Sequence, residues 1–69
     1  MRRYRIVAKG EFGALLSNAF SECQVKTSGG ETILTADVVD SSGLYGILDR
    51  LRDLAVDVVD FHEVKAPTP

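Results

Sequence analysis

Sixty-nine residues, 45% hydrophobic and 26% charged, describe a single globular domain near the lower size limit for one unaided core, and exclude a disordered chain. One cysteine, Cys23, excludes an intramolecular disulfide and a thiol metal cluster. No apolar run approaches the roughly 20 residues of a membrane span, and Met1-Arg2-Arg3-Tyr4 leads into no signal-peptide apolar region, so a reducing cytoplasm is the expected address.

The net charge of −2 hides an asymmetry. Arg2, Arg3, Arg5 and Lys9 give residues 1–10 a sum of +4, whereas Asp37, Asp40, Asp49, Asp53, Asp57, Asp60 and Glu63 outweigh Arg50 and Arg52 by five charges. A basic first strand reads either as a nucleic-acid footprint or as a strand neutralised by acidic neighbours in its own sheet.

The chain opens with Arg3-Tyr4-Arg5-Ile6-Val7-Ala8-Lys9, in which Tyr4, Ile6 and Ala8 alternate with polar neighbours, the period of a strand with one buried face. Gly10 ends it. Phe12, Leu15, Leu16, Ala19 and Phe20 then recur at helical spacing and predict about three turns, with Glu11 complementing the dipole at the start. Two β-rich runs, Cys23–Ser28 and Thr32–Val39, flank Gly29-Gly30, the pattern of a tight hairpin. Parity puts Cys23, Val25, Thr27, Leu34, Ala36 and Val38 on its inner side.

Asp40-Ser41-Ser42 supplies oxygens to cap a second helix, whose stripe of Leu44, Ile47, Leu48, Leu51 and Leu54 is the largest apolar surface in the chain. Asp49, Arg50, Arg52 and Asp53 form a solvated outer side with Asp49–Arg52 and Arg50–Asp53 pairs. Gly46 lies opposite the stripe, where glycine costs about 1 kcal/mol relative to alanine; either that cost is tolerated or another backbone approaches there. Val58–Val64 predicts a last strand with Val59 and Phe61 inward, and residues 65–69 read as a tail that frays. The order β-α-β-β-α-β in so short a chain predicts an α+β fold: a ferredoxin-like two-layer sandwich over residues 1–64 with antiparallel strand order 4-1-3-2. That order sets the basic first strand between the strands carrying Asp37 and Asp60, so Arg3 and Arg5 should each meet an acid.

The segment Val39 to Leu54, with Arg3-Tyr4-Arg5-Ile6 and the Gly-Gly hairpin, resembles a family of short uncharacterised bacterial proteins with a D-x-x-x-L-x-G-x-L-x-x-x-R-D-L helix. That family has glycine after the last leucine as a left-handed helix stop; here Ala55 stands in its place. The resemblance covers nearly the whole chain and implies fold without activity. Gly10-Glu11-Phe12-Gly13-Ala14-Leu15-Leu16 is also similar to the loop after the first strand of ACT regulatory domains, which bind small effectors. That similarity implies an effector loop at Gly10, Glu11 and Gly13, with Glu11 holding an amino-acid ammonium.

No enzymatic constellation emerges. Cys23 and His62 are the only nucleophile and base worth pairing, and strand order and parity set them on opposite edges and opposite faces. A lone histidine is a poor metal site, and Gly29-Gly30 lies between strands, outside the context of a phosphate loop. All five aromatics, Tyr4, Phe12, Phe20, Tyr45 and Phe61, fall on inner or helical positions, which disfavours RNA stacking on the outer sheet face. No cofactor, nucleic acid or membrane is expected. The sequence points to a non-enzymatic interaction or assembly module, with an ACT-like effector domain as the rival. A thin core without disulfide or metal predicts a homodimer through the open sheet face, using Arg3, Arg5, Val7, Ile33, Val39, Asp60 and His62.

Overall fold

The computed structural model describes residues 1–65; the expected fraying of the tail falls on 66–69, outside the described residues. The elements run β1 (Arg2–Lys9), α1 (Gly13–Ala19), β2 (Gln24–Ser28), β3 (Glu31–Val38), α2 (Ser41–Asp53) and β4 (Val58–Val64). The four strands form one antiparallel sheet in the order β2-β3-β1-β4, the expected order read from the other edge. Both helices lie on one side of it. Tyr4, Ile6 and Ala8 of β1, Leu34, Ala36 and Val38 of β3, Leu16 and Phe20, and Leu44, Ile47 and Leu51 of α2 close a single core with Val56.

Local chemistry explains the joints. Gly29 and Gly30 both take positive φ, 56° and 83°, and close a two-residue turn in which Ser28 faces Glu31. Asp40 caps α2, its Oδ1 accepting from the amides of Ser42 at 3.0 Å and Gly43 at 3.4 Å. Gly43 also has a packing role: a Cβ there would stand 2.9 Å from Val38 Cβ, so its absence lets α2 start directly against β3. Gly46, by contrast, has nothing within 4 Å of where a Cβ would sit. At the other end Ala55 takes φ +59°. Its amide donates to Arg52 O at 2.9 Å and that of Val56 to Leu51 O at 3.0 Å, a Schellman stop completed by the buried Leu51 and Val56 side chains.

Four expectations need correction. The first helix is seven residues, not three turns: Phe12 is its N-cap, and Leu15 is 47% exposed because so short a helix buries only Leu16. No acid lies in its first turn; Glu11 instead accepts from the hairpin amide of Gly30 at 3.1 Å. Leu54 leaves the α2 stripe and is 40% exposed, because the Schellman turn carries the chain away from the core at that residue.

The fourth correction concerns β4. A bulge between Val7–Asp60 and Ala8–Val58 skips Val59, so Val58 takes the inner position beside Ala8 and Val59 is exposed. Phe61 does face the inner side, opposite Ile6. It is nonetheless 46% exposed, because α1 packs against β2 and α2 against β3, leaving the edge strand without a helix over it.

Candidate interaction surface

The outer side of the sheet has no helix against it. The register sets its side chains in rows across β2-β3-β1-β4: Gln24, Thr35, Arg5 and His62; then Lys26, Ile33, Val7 and Asp60; with Asp37, Arg3 and Val64 in the row above. Val7, Ile33 and Val64 are half-buried by their neighbours. Two residues assigned to this face lie elsewhere. Val39 follows the last residue of β3 in the bend before α2 and is 78% exposed; Val58, which shares the parity of Asp60 and His62, is turned inward by the bulge, while Val64 at the far end of β4 stays on the face opposite Arg3.

The charges divide unevenly. Arg3 forms a two-pronged pair with Asp37 at 2.8 and 3.1 Å. On the inner side Arg2 does the same with Glu63 at 3.1 and 2.9 Å and lies 5.4 Å from the centre of the Tyr4 ring, closing one end of the core. Each arginine holds its carboxylate below the usual range, chiefly through the hydrogen bond. Arg5 does not find the expected acid: its cross-strand neighbours are Thr35 and His62, and Asp60 lies one row away opposite Val7. His62 Nδ1 stands 3.0 Å from Asp60 Oδ2. Among the described residues neither Arg5 nor Lys26 has a salt-bridge partner.

The inner edge bears a second bare surface. A groove of about 490 Å³ runs between α2 and β4, lined by Leu48, Arg52, Val56, Val58, Val59 and Phe61. Its apolar wall is the stretch the helices fail to cover. Sequence parity placed Phe61 on the correct side but took that side to be buried throughout, and an edge strand is where that assumption breaks.

The loop at Gly10, Glu11 and Gly13 is closed on itself. Thr32, fully buried, donates from Oγ1 to Gly10 O at 2.7 Å and accepts from the Phe12 amide at 2.8 Å. The Gly10 amide donates to Gly30 O at 2.8 Å. With Glu11 bound to the Gly30 amide, these polar groups of the loop are used in tying β1 to the hairpin.

Cys23 precedes β2 and is partly buried; burial, then the adjacent Glu22, pushes its thiol pKa up, away from the reactive thiolate. His62 lies on β4, at the opposite edge of the sheet. Arg50 is exposed, as expected, but does not pair with Asp53. It reaches Glu22 at 2.7 Å, donates to Ala19 O at 3.3 Å and stacks 4.4 Å from the centre of Phe20, tying α2 to the end of α1. Asp49–Arg52 does form, at 3.5 Å. Among the described residues no group of three His, Cys, Asp or Glu side chains is placed to hold a metal ion, and no helix is long and apolar enough to cross a membrane.

Residues 3–62 match the family model of a domain of unknown function, DUF8691. No curated protein and no solved structure matches the chain.

Proposed function

The chain belongs to the DUF8691 family, and we propose that it is a non-enzymatic interaction and assembly module whose first partner is a second copy of itself. The observation that carries this reading is the bare sheet: among the described residues the helices pack chiefly over β2 and β3, no element lies against the outer face, and the β4 edge keeps Val59 52% exposed and Phe61 46% exposed. A 69-residue chain gains from covering such surface, since its own core is close to the minimum for stability. Within this reading residues 1–64 form one ferredoxin-like domain of a bacterial, cytoplasmic protein. The strand order and the split β-α-β connections support the domain reading, and a lone free thiol suits a reducing compartment.

The effector-binding alternative is less well supported. An amino-acid ammonium needs a free carboxylate in the loop after β1, and Glu11 already accepts from Gly30. The two readings separate by experiment. Light scattering at tens of micromolar should give twice the 7.5 kDa of the chain, and a monomer refutes self-assembly. Thermal shift against amino acids and nucleotides should leave the midpoint unmoved, whereas a saturable rise supports effector binding.

A further inference from the structure

We propose that two copies join edge to edge through β4, antiparallel and centred on Phe61, to make one eight-stranded sheet; this rests on the assembly reading above and specifies its interface. The two edges of the sheet are unequal. β2 is five residues long, polar at Gln24, Thr27 and Ser28, and carries Lys26, the kind of short charged edge that resists pairing. β4 is seven residues long and contains no lysine or proline. Its bulge falls at Val59, near one end, leaving Asp60–Val64 in regular register with β1. Alternate N–H and C=O groups of such a strand point away from β1 and offer a template for another strand.

Side-chain pairing selects the register. With the two-fold axis at Phe61, Asp60 of each copy lies opposite the partner's His62 on the outer side, so two carboxylate–imidazole pairs form at once. Moving the axis to Asp60 sets carboxylate against carboxylate, and moving it to His62 sets imidazole against imidazole with Phe61 opposite a glutamate. Centred on Phe61, the two rings meet on the inner side, next to the groove formed by Leu48, Val58 and Val59. That covers the one aromatic of the sheet's inner side that the helices leave exposed.

The outer face is the poorer site for a second copy. Asp37 is already held by Arg3 and is not free to meet a cation of a second copy. Stacking two such faces would set Arg5 and Lys26, unpaired among the described residues, against a like-charged surface. An edge-to-edge dimer leaves that face free and continuous across eight strands.

The test compares Phe61→Lys, Val7→Glu and Phe61→Cys in a Cys23→Ala background by light scattering, circular dichroism and non-reducing electrophoresis. Phe61→Lys sets like charges at the axis and should raise the dimer dissociation constant by about 100-fold or more with an unchanged dichroism spectrum. Val7→Glu, on the outer face, should leave the dimer intact. Phe61→Cys should oxidise to a covalent dimer, because residues opposite across a strand pair have Cα separations of about 4.5–5.5 Å, within disulfide reach. If Phe61→Lys fails to fold, the Phe61→Cys result decides alone. A dimer that survives Phe61→Lys, or fails to cross-link through Phe61→Cys, overturns the edge interface and leaves the assembly reading standing. A monomeric wild type overturns both.

Discussion

Replacing Ala55 by glycine should stabilise the protein. Ala55 holds φ +59° because the Schellman stop of α2 requires a left-handed residue there, and its Cβ makes that conformation costly by about 1–2 kcal/mol. Glycine removes the cost but returns about 0.4–1 kcal/mol of conformational freedom to the unfolded chain. Ala55 is exposed, so its methyl group contributes little packing. The balance is a gain of about 0.5–1 kcal/mol. For 69 residues, with an unfolding entropy of about 2.1 cal/mol/K per residue, that gain raises the thermal midpoint by about 3–7 °C. Scanning calorimetry or a dichroism melt at low protein concentration would measure it, and the concentration must be matched so that self-association does not contribute. A midpoint that is unchanged or lower would refute the claim that the helix stop is strained.

Three further outcomes follow from the geometry. Thr32→Val should cost about 2 kcal/mol in urea unfolding, since it strips partners from Gly10 O and the Phe12 amide around a fully buried side chain; an unchanged midpoint would show that the loop does not depend on this bridge. Asp37 and Glu63 have carboxyl pKa values lowered by Arg3 and Arg2. Their stabilisation is therefore complete above the ordinary carboxylate range and is lost as pH falls through the lowered values. The double variant Asp37→Asn with Glu63→Gln should accordingly flatten the acid limb of stability against pH, and an identical limb would count against these pairs. Cys23, partly buried with its thiol pKa raised by burial and the adjacent Glu22, should react with a thiol reagent at neutral pH more slowly than free cysteine. Rapid stoichiometric labelling of the folded protein would contradict that placement.

Local physics within the chain was sufficient for much of the architecture. The period of two in Tyr4, Ile6 and Ala8 and the helical stripe of Leu44, Ile47 and Leu51 mark faces that every water-excluding fold must bury, and they are buried. Asp40 and Gly29-Gly30 act through hydrogen bonds and φ angles within a few residues, so the cap and the turn are legible without any tertiary information. Ala55 is different: alanine disfavours positive φ, so its left-handed conformation was implied only by the resemblance to a family with glycine at that place.

What only the tertiary structure decided is which of these faces is covered, and by what. Period two cannot register a bulge, so the choice of Val58 over Val59 waited on the pairing of β4 with Val7 and Ala8. Parity assigns Phe61 to the inner side, but its exposure depends on where two short helices lie relative to an edge strand. The partners of Arg50 and Glu11 stand 28 and 19 residues away in sequence. No local pattern encodes such contacts, because they exist only once the sheet has brought α1, the hairpin and α2 together. The candidate surface is made of these same features: a sequence names the residues of an edge, and the packed layers determine that the edge is left bare.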